Sequence, residues 1–272
     1  MKIVPLTEEY EGNYFVCLED WSDEISEGKD HKELWFQKMK DKGLGVQLAL
    51  NEEEKPVGMI HYIPIEHSFI EGRNLYFILC IWVHGYKDKG VGNNQKQGIG
   101  KALIKAAEED VKKGGAEGLA AWGLPIPVWM KASWFKKQGY KQVDKEGFMG
   151  RVLLWKPFSD SAEPPKWIKA KKKPELDPEK VVVTGFMNGW CPTYNMVQER
   201  AKRASAELGD RVVFQEINTL DKEVFEEWGI SDALFINKRK VNTGPPPSYE
   251  KIKKKISKAL KKQTGLRKGQ KT

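Results

Sequence analysis

Residues 95–101 read Gln-Lys-Gln-Gly-Ile-Gly-Lys, and an amphipathic helical pattern, KALIKAAEEDVKKGG, runs on from there. A glycine-rich turn at a helix start is built to hold an anion. The first helical amides lack intrahelical partners and the helix dipole is positive at that end. Gly98 and Gly100 carry no Cβ to keep a phosphate away, and Lys101 adds a cation at the mouth. Two common phosphate-binding patterns do not fit. A dinucleotide fingerprint needs a third glycine where Leu103 stands, and a P-loop needs glycine at Gln95 and Ser or Thr at Ala102. No pair of carboxylates and no His/Cys cluster at ligand spacing appears, so no metal is expected. Three thiols, Cys17, Cys80 and Cys191, are too scattered for a disulfide framework.

These residues are placed by a mixed pattern of strands and helices. Leu75–Val83, LYFILCIWV, is an unbroken apolar run that suits a strand buried on both faces. Gly45–Leu50 and Val57–Ile65 are predicted strands around a turn at 51–56. A short strand is predicted over Gly118–Gly123 and a last one over Arg151–Trp155. Helices are predicted at Lys32–Lys42, with Leu34, Trp35 and Met39 on one face, and at Val128–Gln138. Residues 157–180 carry five prolines and mixed charge, the composition of a linker. Beyond it Val181–Gly185, Val212–Ile217 and Leu234–Asn237 are predicted strands, interleaved with helices in the order β-α-β-α-β-β-α.

The stretch Gln95–Leu103 resembles the [QR]-x-x-G-x-[GA] signature of the GNAT acetyltransferase superfamily. The strand before it resembles that family's central strand, and Ser133–Tyr140, SWFKKQGY, resembles its later aromatic-helix motif. The resemblance covers residues 1–156 and implies a GNAT-type mixed α/β domain with acetyl-CoA as co-substrate. Backbone groups of Ile81, Trp82 and Val83 would bond the pantetheine arm as an added strand. The turn formed by Gln95, Lys96, Gln97, Gly98, Ile99, Gly100 and Lys101 would hold the pyrophosphate. The acceptor would be a small-molecule or peptide amine, attacking the thioester directly.

Two departures from the family pattern stand out. The connection from Val83 to Gln95 is long, with HGYKDKGVGNN reading as an insertion beside the cofactor turn. Phe135 stands where many members carry a tyrosine acid, so the catalytic residues are left open. Tyr140 and Tyr86 are candidates to protonate the leaving thiolate, and His84 is a candidate base. His61 and Glu66 could face the acceptor, while Cys80 reads as a small core hydrophobe.

The second half, residues 181–262, resembles a thioredoxin-like domain of the YoaP-like acetyltransferases, with Trp190-Cys191 between a strand and a helix. The fold expectation is therefore a GNAT mixed α/β domain followed by a thioredoxin-like α/β domain. Tyr194 replaces the second cysteine of a C-x-x-C pair, which excludes dithiol exchange. Cys191 at a helix start could still be an activated thiol. Two readings other than an acyltransferase remain open: a non-catalytic acyl-CoA sensor or interaction protein, and a single-cysteine thiol-binding module.

Formal net charge is +8, but ten Lys and Arg without one Asp or Glu fall between Lys251 and the C-terminus. The remainder is near neutral, with a basic tail expected over 263–272. No aromatic residue follows Tyr249 to stack on bases, so nucleic acid is not an expected partner. No apolar run reaches the roughly 18 residues of a membrane span, and MKIVPLTEEYEG lacks the apolar core of a signal peptide. No membrane partner is expected, and the cytoplasm is the expected location.

Overall fold

The computed structural model describes residues 1–126, 128–147, 150–242 and 245–269, with side chains through 264. Two compact units divide the chain. The first holds Met1–Ser22 and Phe36–Ile168, and the second holds Asp23–Trp35 and the chain from Lys169 onward. Residues 23–35, read from the sequence as part of a 1–156 domain, thus go with the second unit. The first 12 residues of the stretch read as a linker go with the first.

In the first unit the elements run β1 (Lys2–Pro5) and α1 (Glu8–Phe15). After α2 (Asp23–Ser26) and the start of α3 (Lys29–Met39), which lie in the second unit, come β2 (Gly45–Leu50), β3 (Pro56–Pro64), β4 (Ile70–Glu71) and β5 (Leu75–Val83). Then follow α4 (Ile99–Lys113), β6 (Gly118–Gly123), α5 (Ala132–Lys137), β7 (Lys141–Lys145), β8 (Val152–Pro157) and β9 (Lys166–Trp167). Seven strands form one sheet in the order β1-β2-β3-β5-β6-β8-β7. Only β5 and β6 pair in parallel within it. The central strands are buried because their runs are apolar on both faces; Met59, Ile60, Phe77, Ile78, Ala120 and Ala121 are all fully enclosed. α4 covers one face with Leu103, Ile104, Ala107 and Val111, the stripe its 3.6-residue period predicts. β4 and β9 form a separate two-stranded ribbon, and Trp167 stacks on Phe69 at 6.1 Å between ring centroids.

Several predicted bounds move. The helix predicted at Val128–Gln138 begins only at Ala132. Met130 has φ 52°, and a loop there is closed by bonds from Leu124 N–H to Met130 O and from Ala132 N–H to Leu124 O. The helix predicted at Lys32–Lys42 starts earlier and ends at Met39, and Leu34 is 62% exposed rather than part of its apolar face. β1, α1 and β7 carry no strong pattern in the sequence.

The second unit contains β10 (Val181–Met187), α6 (Pro192–Glu207), β11 (Val212–Asn218), α7 (Lys222–Trp228), β12 (Ala233–Ile236), β13 (Arg239–Val241) and α8 (Tyr249–Gly269). Its sheet has the order β11-β10-β12-β13, parallel across β10 and β11 and antiparallel elsewhere. Val183, Val197, Ala201, Leu234, Ile252 and Ile256 form its core. α2 and the first part of α3 complete this unit: Arg200, 5% exposed, donates to Glu27, and His31 bonds Glu199 at 2.8 Å. The backbone of α8 continues through Gly269, into the stretch read as a basic tail. Residues 270–272 of that tail lie outside the described residues. No helix among the described residues is long and apolar enough to cross a membrane.

Candidate active site

The sheet of the first unit opens at one point. β5 and β6 pair from Leu75 with Gly118 to Ile78 with Ala121, and there the ladder stops. β5 continues to Val83, and β6 continues to Gly123 bonded to β8 alone. On its other side β5 stays paired with β3 through Gly58 and Val83, with one irregularity that leaves Leu79 as the extra residue between Ile78 and Cys80. Such a bulge bends and twists the strand that carries it. Just past the last parallel pair, the Trp122 indole donates to Leu79 O at 2.8 Å, so a side chain replaces the ladder. The result is a wedge whose one wall is the β5 edge from Cys80 to Val83. Ile81, Trp82 and Val83 lie along that wall.

The glycine-rich turn lies beyond the open end of β5. Lys96 and Gly98 both have left-handed backbones, φ 64° and 81°. Gly98 is the N-cap of α4, no side chain caps the helix, and its first turn holds no acid. Ala102 N–H is the first to bond back into the helix, to Gly98 O at 3.0 Å. The amides of Gly98, Ile99, Gly100 and Lys101 are therefore the orphan donors of the helix start. Gln95, Lys96, Gln97 and Lys101 are exposed around them. Ile99 is different: its side chain is buried, 2.9 Å from where a Cβ on Gly58 would lie, so only its amide is offered to a ligand. Gln95 has a structural task as well, donating from Nε2 to Val83 O at 3.2 Å and tying the turn to the strand. A Cβ on Gly98 would meet nothing within 4 Å, whereas one on Gly100 would come within 3.2 Å of Trp134.

Residues 7–124 match the model of the acetyltransferase (GNAT) family. The GNAT match spans the strand, the glycine-rich turn and the helix just described, and ends one residue past β6. No curated protein matches the chain. Among solved structures, aminoglycoside 6'-acetyltransferase type Ii is 16% identical, covering 58% of this chain and 98% of its own, with a TM-score of 0.45. A ribosomal-protein-alanine N-acetyltransferase from Brucella melitensis is 18% identical, at 58% and 99% coverage and a TM-score of 0.43. The PaiA N-acetyltransferase from Thermoplasma acidophilum, solved with coenzyme A, is 19% identical at 58% and 99% coverage, with a TM-score of 0.41.

The GNAT resemblance left the catalytic side chains open, and the structure narrows the field. His84 is fully buried. Its Nε2 accepts from the Trp21 indole at 3.2 Å, which leaves the proton on Nδ1, 2.6 Å from Gly92 O. Both nitrogens are committed, so His84 fastens the 84–94 loop and is not a free base. Tyr140 is 2% exposed, packed on Phe135, and burial pushes its hydroxyl well above the usual range. It lies beside Glu108, more than two turns into α4, so it is a core residue away from the turn. Tyr86 is 40% exposed and lies next to Trp82, 6.3 Å between centroids. Its hydroxyl is raised by burial and then by Glu19. Of the three candidates, Tyr86 alone keeps solvent access at the open end of β5.

His61 pairs across the ladder with Cys80, is buried, and bonds the Tyr14 hydroxyl at 2.7 Å. Glu66 is exposed just past the far end of β3, where Pro64 pairs with Tyr76. It is at the opposite end of β3 from the glycine-rich turn and does not join the site. Sequence reasoning missed Glu19 and Trp21, which reach the end of β5 from the turn after α1. No local motif marks them. In the second unit Cys191 is the N-cap of α6 but is 7% exposed, while Cys17 is the more accessible thiol.

Proposed function

We propose that the first unit is an acetyl-CoA-dependent N-acyltransferase acting on a primary amine. The observation that carries this reading is the wedge at Ile78–Trp122 opening beside the uncapped, glycine-rich start of α4. An extended amide-bearing arm needs an open strand edge, and β5 offers one from Cys80 to Trp82, up to the point where Gln95 takes Val83 O. A diphosphate needs convergent amides, and the orphan amides at the left-handed, uncapped start of α4 would supply them. The family match and solved relatives with coenzyme A bound support the same ligand.

The thioester would supply an activated acyl group. The protein's part is then to place it. The β5 edge would fix the arm, the α4 amides would fix the charged end, and a backbone amide near Val83 would hold the oxyanion of the tetrahedral intermediate. Neither His84 nor Tyr140 is suited to move a proton at that point. The second unit's strand and helix order supports the thioredoxin-like reading. With Cys191 buried and Tyr194 in place of a second thiol, its role is that of a binding or shaping module.

Calorimetry of the full chain with acetyl-CoA, followed by thiol release over a panel of primary amines, tests the proposal. Saturable binding and amine-dependent release are expected. Absence of acetyl-CoA binding by the folded protein would overturn it.

A further inference from the structure

A second small site stands beside the open end of β5, built on Glu19, Trp21 and Lys89, which the acyl-transfer chemistry above does not use, with Trp82 and Tyr86 at its border. α1 ends in a Schellman turn, with Cys17 N–H bonded to Tyr14 O at 3.0 Å and Leu18 N–H to Asn13 O at 2.8 Å. The turn normally asks for glycine. Here Cys17 and Leu18 take φ 53° and 61°, an expensive conformation for residues with side chains. It carries the chain round so that Glu19 and Trp21 reach the aromatic cluster after β5. The Tyr86 hydroxyl and the Glu19 carboxylate are close enough for the carboxylate to raise the phenol and for the phenol to favour the charged carboxylate. The rings of Trp21 and Tyr86 are 5.0 Å apart. Trp82 adjoins Tyr86, and its indole Nε1 is buried with no hydrogen-bond partner among the described residues.

This cluster already holds a cation. The Lys89 ammonium lies 4.5 Å from the Trp21 ring centroid, and its charge acts on Glu19. An indole face is the best aromatic partner for an ammonium, and a carboxylate partly withdrawn from water attracts it more strongly than an exposed one. Lys89 belongs to the 84–94 loop, which His84 anchors through Gly92 O, and Asn94 N–H bonds back to His84 O at 2.9 Å. The loop therefore lays a four-carbon stem with a terminal ammonium over the Trp21 face, within reach of the Glu19 charge and next to the strand that would carry the acyl donor.

We propose that Glu19 and Trp21 form the acceptor-amine subsite, selective for a primary ammonium on a straight alkyl stem, and that Lys89 occupies it as an internal competitor. Naming the ligand an acceptor rests on the acyltransferase reading; the cation site does not. Glu19 is here a positioning residue. Lysine side chains of peptides and short α,ω-diamines have the geometry that Lys89 displays.

The test uses the full chain and 1,5-diaminopentane, with and without coenzyme A. Calorimetry should show tighter diamine binding by Lys89→Met and weaker binding by Glu19→Gln and Trp21→Leu, each by about tenfold or less, as expected for one cation–π or ion-pair contact. Glu19→Asp should recover part of the loss, and 1-pentanol should show none of the pattern. In turnover the Glu19→Gln effect should fall on the amine KM more than on kcat, with acetyl-CoA affinity unchanged. Equal diamine affinity across wild type, Lys89→Met and Glu19→Gln would overturn the proposal. So would a diamine KM that neither variant moves. Diamine binding with this pattern by a chain that binds no acetyl-CoA would defeat the acyltransferase reading and keep the cation site.

Discussion

Gly98→Ala separates backbone conformation from space at the proposed phosphate turn. A methyl group at this position would meet nothing within 4 Å, so no clash is introduced. The φ of 81° is the difficulty. A left-handed conformation costs an L-residue roughly 1–2 kcal/mol. If the variant keeps the turn, that strain appears as lost stability. If the free protein relaxes the turn, acetyl-CoA must restore it, and affinity falls by about 5- to 30-fold at 1.4 kcal/mol per decade. The two losses together should amount to the strain. Asparagine tolerates the left-handed region better, so Gly98→Asn should lose less than Gly98→Ala. Thermal unfolding and acetyl-CoA calorimetry on both variants measure the two parts. A Gly98→Ala protein with wild-type Tm and wild-type affinity would refute the argument that this backbone shape is required.

Gly100→Glu should abolish measurable acetyl-CoA binding while the fold survives, because it puts a negative charge among the α4 amides and presses on Trp134; calorimetry on the folded variant decides it. Burial raises the acid of Glu19 despite opposing help from Tyr86 and Lys89. The folded chain thus holds this proton to higher pH, and stability is lost as pH rises from the unfolded carboxylate range, about 4.3, toward the raised value. Glu19→Gln should accordingly melt above wild type at pH 7 and converge with it near pH 4; a lower Tm at pH 7 would contradict the sign. In alkylation with peptide mapping of the native protein, Cys17 should label ahead of Cys80 and Cys191, since it is the half-exposed thiol of the three; faster labelling of Cys191 would show that α6 opens at its start.

The parts of the fold that were legible in the sequence are those where local pattern and tertiary burial agree. LYFILCIWV could hardly be anything but a central strand, and β2 and β6 took the bounds their apolar runs predicted. α4 was legible through its apolar stripe and flanking glycines. α1 was not, because EEYEGNYF has a glycine inside it and only Tyr14 and Phe15 bury. β7, KQVDK, is an edge strand without a buried face and so without alternation. The helix predicted from Val128 fails on one backbone angle at Met130, which no periodicity encodes. At the site, the glycine-rich turn carried a motif, and its place at the start of α4 could be read. His84 was misjudged because its environment comes from Trp21 and Gly92, partners 63 and 8 residues away. Glu19 and Trp21 were invisible for the same reason: a Schellman turn closed by a cysteine has no sequence signal.

The second unit borrows residues 23–35 from the early part of the chain. On a ribosome that segment emerges long before its partners. At about 5–20 residues per second, roughly ten to thirty seconds of elongation separate Glu27 from Arg200. During that interval α2 and the start of α3 have no α6 to pack on, while the buried guanidinium of Arg200 later depends on them for its carboxylates. The unit is therefore finished by a non-local docking event late in synthesis. An expression fragment cut at residue 169 would lack both the Glu24 and Glu27 carboxylates and the cover that residues 23–35 give α6, opening the Arg200 face to water. Boundaries for isolating the second unit have to follow its spatial membership, with residues 23–35 supplied in trans or fused ahead of residue 169.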